Sequence, residues 1–135
     1  MKLTKDRNTP MQYIGRLSLP VEANTVIFAG SLVAVNAAGN AVPGATSTTL
    51  KAAGRAHVYV NNQNGAAGAV SILVDRGAAF KFANDTTDPV TVASLLGTCY
   101  IVDDQTVAAT NGTNTRSAAG KVVSVESDGV WVEML

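Results

Sequence analysis

Ala118-Ala119-Gly120-Lys121-Val122-Val123-Ser124-Val125 has an echo upstream. There, Ala52-Ala53-Gly54-Arg55-Ala56-His57-Val58-Tyr59 carries the same Ala-Ala-Gly-basic opening into strand-forming residues. A second pair precedes it. Gly30-Ser31-Leu32-Val33-Ala34-Val35 matches Gly97-Thr98-Cys99-Tyr100-Ile101-Val102, at an offset that differs from the first by a single position. Between the members of each pair lies a turn and a short apolar step, Asn40-Ala41-Val42 in one copy and Gln105-Thr106-Val107 in the other. A period shared by successive elements implies one β-unit used twice.

The rest of the chain supports a β reading. Ala37-Ala38-Gly39-Asn40 has the glycine of a tight hairpin, and Ser127-Asp128-Gly129 joins Lys121–Glu126 to the valine-rich run Val130–Met134. Asn61-Asn62-Gln63-Asn64-Gly65 is a turn before a strand from Ala69 to Asp75, and Ala79–Phe82 sets Phe80 and Phe82 on one face with Lys81 on the other. No stretch sustains a helical period, although Val92, Leu95 and Leu96 allow one short helical turn within 90–96. Short strands about ten residues apart predict an all-β fold, a small antiparallel β-barrel or β-sandwich, over a single domain from 21 to 135. Residues 1–20 differ. Lys2, Lys5, Arg7 and Arg16 sit among polar residues and two prolines, Pro10 and Pro20, with Met11, Tyr13, Ile14 and Leu17 interspersed. This pattern predicts an extended N-terminal arm whose apolar segment, Met11 to Leu19, is able to form a strand.

Composition narrows the classes. With 135 residues, 47% hydrophobic and 15% charged, the chain is one folded domain and not a disordered segment. Its apolar content is mostly Ala and Val, so the core is thin and an oligomer interface would help it. Residues 1–84 hold eight Lys/Arg and three Asp/Glu, a net +5, whereas 85–135 hold two and seven, a net −5. Such polarity can orient copies against one another or against a charged scaffold. No run approaches the roughly 18 apolar residues that cross a membrane as a helix. Residues 1–10 lack the apolar core of a secretory signal, so synthesis in a cytosolic setting is expected.

Searches for chemistry come back empty. His57 is the single imidazole, and at a strand position it reads as structural; a triad with Asp75 has no local support, and no G-x-S-x-G elbow occurs. Cys99 sits in the run Cys99-Tyr100-Ile101-Val102 and reads as a core thiol. Asp103-Asp104 falls at a turn, where Asp bonds to the backbone, and Asp85-Thr86-Thr87-Asp88 lacks the ligand spacing of an EF-hand. Neither glycine-rich phosphate motif is present, and only the arm is basic. The expectation is therefore no enzyme, no cofactor, no metal and no direct nucleic-acid partner.

The Gly30–Asn36 unit, the Ala-Ala-Gly-basic openings at Ala52 and Ala118, and the Tyr100-Ile101-Val102-Asp103-Asp104 run resemble the small head-decoration or structural cement proteins of tailed bacteriophages. An Ala/Gly/Thr-rich composition and a final strand ending at Leu135 belong to the same resemblance, which covers roughly residues 20–135. It implies a virion protein, made in the host cytoplasm and placed on the capsid exterior as a trimer. There it would bind the major capsid protein and cement the mature shell. The arm residues Lys2, Lys5, Arg7, Met11, Tyr13, Ile14, Arg16 and Leu17 would then contact the shell. A tail, baseplate or fibre subunit has the same all-β build, and a small ligand-binding barrel is a third class.

Overall fold

The computed structural model describes residues 1–11 and 14–135. Among the described residues twelve strands follow one another: β1 (Arg16–Pro20), β2 (Thr25–Ile27), β3 (Leu32–Val35), β4 (Ala41–Pro43), β5 (Lys51–Ala56), β6 (Val60–Asn62), β7 (Ser71–Asp75), β8 (Ala78–Asn84), β9 (Thr98–Ile101), β10 (Thr106–Ala108), β11 (Ala118–Glu126) and β12 (Gly129–Met134). The one helical element among them is a 3-10 turn at Val92–Ser94, within the stretch whose spacing allows a short helical turn. The all-β expectation holds. Five strands form a closed barrel in the order β10-β8-β12-β11-β9, and five others a sheet in the order β1-β7-β5-β3-β4.

These two orders are the same order. Matching β1 to β8, β3 to β9, β4 to β10, β5 to β11 and β7 to β12 superimposes every antiparallel pairing. The match extends to single residues. Ala34 faces Ala52 and Val33 faces Gly54 across β3–β5; in the second copy, Tyr100 faces Ala118 and Cys99 faces Gly120 across β9–β11. In each pair the register jumps, leaving Ala53 or Ala119 as an extra residue without a partner. The repeat read from the Ala-Ala-Gly motif is thus a repeated β-bulge, which bends the strand and increases its twist. The second sheet closes through the parallel pair β8–β10, in which Asn84 faces Val107. The first has its counterpart in one parallel bridge, Val21 to Ala41.

The turn that feeds each repeat matches as well. Ser31 N–H donates to Phe28 C=O and Gly97 N–H to Ser94 C=O, while Gly30 N–H reaches Ala56 C=O and Leu96 N–H reaches Val122 C=O. Gly30 (φ +87°) and Leu96 (φ +64°) share the left-handed position. The structural period is therefore constant throughout this unit, and Gly30 corresponds to Leu96 and not to Gly97.

Each repeat has its own core. Val33, Ala41, Ala53, Ala56, Ile72 and Val74 fill the first, and Ile27 of the two-stranded β2–β6 ribbon packs into it. Phe80, Phe82, Cys99, Ile101, Val107, Val122, Val130 and Val132 fill the second. Strand β3 serves both, which is why Leu32, Val33 and Ala34 are all fully buried: Val33 points into the first core, and Leu32 and Ala34 point out of it into the second cluster. Such two-sided burial reads in sequence as an unbroken apolar run. Backbone and hydroxyl bonds stitch the seam. Leu32 N–H donates to Asp104 C=O at 2.7 Å, and the Ser117 hydroxyl donates to Ser47 C=O at 2.6 Å.

One boundary moves. The sequence pattern ends the arm at residue 20, yet Arg16–Pro20 is a body strand, paired antiparallel with β7 from Arg16–Asp75 to Pro20–Ser71. Leu17 and Leu19 are half-buried along it, with Leu19 packed against the first core, so the body begins at residue 16.

The bulges set a test. A Cβ on Gly54 would run into the Asp75 carbonyl oxygen, and one on Gly120 into the Glu133 carbonyl oxygen and, at 2.8 Å, a methyl of Val132. Gly54→Ala and Gly120→Ala should each lower the free energy of unfolding by about 1–3 kcal/mol. Gly15→Ala, with nothing within 4 Å of the added carbon, should leave the urea midpoint unchanged.

Candidate functional site: the N-terminal arm and its root

The arm precedes β1 and carries no regular structure in residues 1–11. Lys2, Lys5 and Arg7 are exposed along it, and none is in an ion pair among the described residues. Met1, Leu3, Met11 and Ile14 expose large apolar surface, which costs free energy in water while nothing covers it. Tyr13, another residue assigned to partner contact, lies outside the described residues.

The remaining two such residues, Arg16 and Leu17, are engaged by the body. Cross-strand register places Arg16 opposite Asp75 on one side and Arg55 opposite Asp75 on the other. The Asp75 carboxylate consequently accepts from Arg16 Nε at 3.0 Å and from Arg55 Nη2 at 3.0 Å, and it meets His57 Nδ1 at 3.1 Å. Burial by itself would raise the Asp75 pKa, but the hydrogen bonds from Arg55, His57 and Arg16 outweigh it and hold the carboxyl down at about 2. Arg55 also lies over the Phe80 ring, 4.9 Å from its centre, linking the cluster to the second repeat. His57 therefore has a structural partner in Asp75. The cluster clamps the point at which the arm leaves the body.

Other candidate groups have local duties. The Cys99 thiol is buried, and burial pushes its pKa up to about 11, which leaves it a poor nucleophile. Asp103 accepts from the Gln105 backbone N–H at 2.9 Å, the turn role its position implies. Asp85 accepts from the Asp88 N–H, and Asp88 holds the Thr110 hydroxyl at 2.6 Å and Arg116 at 2.9 Å, so this loop is closed by its own residues. Among the described residues no group of three or more His, Cys, Asp or Glu side chains is placed to hold a metal ion.

Sequence reasoning set His57 beside Asp75 only as an unsupported triad and missed the cluster with Arg16 and Arg55. Its members lie on three different strands and in the turn after one of them, and only the strand register brings them together. Comparison with known proteins adds no further guide: no protein-family model, curated protein or solved structure matches the chain.

The clamp has a pH signature. Because the folded-state pKa lies below the ordinary 3.8, the stabilisation is fully present above about pH 4 and is lost as pH falls through about 2. Asp75→Asn should cost about 1–3 kcal/mol at pH 7, and urea unfolding curves of the variant and the parent should converge only as pH falls below about 2.

Proposed function

We propose that this protein is a structural fastener of a bacteriophage head, binding the outer surface of the capsid and cementing the mature shell. The observation that carries the reading is the pairing of a hydrogen-bonded β body with an uncovered arm. The second repeat, a closed barrel, has no free strand edge, and in the first the edges are joined by one bridge only. The arm, without regular structure in residues 1–11, can add a strand to an edge on the shell. Lys2, Lys5 and Arg7 would meet acidic surface there, and Met11 and Ile14 would supply apolar anchors. Arg16 and Leu17 act differently in this reading: they hold the arm's root and do not touch the shell.

A shell held by many copies needs little affinity from each one, since symmetry multiplies the contacts. What each copy must do is transmit tension from its arm into a body that does not unfold. The Arg16–Asp75–Arg55 clamp lies on that route. Trimers at local threefold positions of the shell follow from the resemblance to cement proteins, with the major capsid protein as partner.

Deletion of residues 1–14 should leave the β circular-dichroism spectrum and the unfolding midpoint near those of the full chain. The same deletion should weaken co-sedimentation with expanded, undecorated heads by about tenfold or more. Undiminished attachment by the truncated protein would remove the arm from the mechanism.

A further inference from the structure

Where the two repeats meet, an open groove of about 440 Å³ is lined by Phe28, Ala29, Gly30 and Ser31 on one side and Asp104 and Gln105 on the other. Phe28 is 63% exposed, and its ring lies 5.6 Å from that of Tyr59, itself 53% exposed. Together they make an aromatic wall that nothing covers. Asp104, in the same lining, is half-buried, its backbone fixed by the 2.7 Å bond from Leu32 N–H. The neighbouring Asp103 spends its carboxylate on the turn, whereas Asp104 is in no ion pair among the described residues.

A groove lined by both an exposed aromatic residue and an aspartate suits an ammonium or guanidinium group, through the ring quadrupole and a charge-assisted hydrogen bond. The chain carries such groups on its arm. Lys2, Lys5 and Arg7 are exposed and without ion pairs among the described residues, and exposed Met1 and Leu3 alternate with them. Those two apolar side chains are suited to cover the Phe28–Tyr59 wall. The charge balance of the repeats agrees. Residues 1–77 hold seven Lys/Arg and three Asp/Glu, a net +4, and residues 78–135 hold three and seven, a net −4.

We propose that the groove between the repeats receives a basic side chain from the arm of a second copy, so that copies join arm to groove. The contact is heterologous: each copy offers both an arm and a groove, and the two surfaces are different. Lys5 and Arg7 are also shell contacts in the capsid reading, so one arm serves one of the two at a time, and this test involves no capsid.

The experiment is sedimentation equilibrium of the full chain from about 10 µM to about 1 mM, at about 0.02 M and about 0.5 M salt. Mass should rise with concentration and fall at the higher salt. Phe28→Ala, Asp104→Lys and the arm double variant Lys5→Glu/Arg7→Glu should each weaken association about tenfold or more. Mixing the Asp104→Lys protein with the arm double variant should restore association, because the native arm of the first then meets the native groove of the second. Should a groove variant lose its fold by circular dichroism, the arm variants still decide, since residues 1–11 lie outside every strand. A monomer across the whole range overturns the proposal, including one whose own arm folds into its groove. Association that ignores the arm and groove substitutions overturns it equally.

Discussion

In each repeat an alanine without a cross-strand partner is followed by a glycine, and the bent strand comes so close to its neighbour that a Cβ would strike a carbonyl oxygen. The rest of the fold depends on these two bends. Their equivalence is complete: Gly54 meets Asp75 as Gly120 meets Glu133. A five-stranded sheet must coil strongly to bring its edges together, and a bulge supplies local twist that regular pairing does not. The closing strand pairs, β8–β10 in one repeat and the Val21–Ala41 bridge in the other, are downstream of that coiling. So are the cores, because the side chains converge only once the sheet has curled.

The repeats share a backbone plan but not a surface. Leu32, Ala34, Leu50 and Ala52 on the outside of the first repeat are covered by the second. The equivalent positions of the second repeat are Thr98, Tyr100, Arg116 and Ala118, polar or small residues apart from the half-buried tyrosine. An apolar outer face stacks on the next unit, and a polar one ends the stack, as terminal units of repeat proteins do. The second repeat thus presents a largely polar face where the first presents an apolar one. The β2–β6 ribbon further distinguishes the first repeat: the connection from β5 to β7 is longer than that from β11 to β12, and β6 lies in the additional length.

The same asymmetry governs what the protein offers to others. Its body leaves few unpaired strand edges, so specific contact falls to side chains and to the arm. The arm is fastened where Arg16 and Arg55 converge on a carboxylate from the strand between them, an arrangement that closes the root while leaving the preceding residues uncovered. The exposed Leu96 belongs in this account too. It occupies the left-handed position that its counterpart fills with glycine, at a cost of about 1 kcal/mol. No hydrophobic burial offsets that cost, since the side chain is 75% exposed.

Fold class and repetition were legible in the residues. The hairpin turn at Gly39, with φ +90°, needs its glycine whatever surrounds it, and these bulges need a small residue followed by glycine, so these constraints are written where they act. That residues 1–11 differ in composition from the body was legible too, in their cations. That Gly30 corresponds to Leu96 was not, because the two share a backbone angle and not a side chain. Nor was the place of Arg16–Pro20 in the body: Leu17 alternates with Leu19 in the chain, but its partner Val74 comes six strands later, on β7. The meetings of distant residues belong to the tertiary structure: Asp75 with Arg16, Arg55 and His57 at the arm's root, and Phe28 with Asp104 across the seam. Register is the cause. Side-chain alternation tells which residues share a face, but only the hydrogen-bonded pairing of distant strands tells whose face they meet.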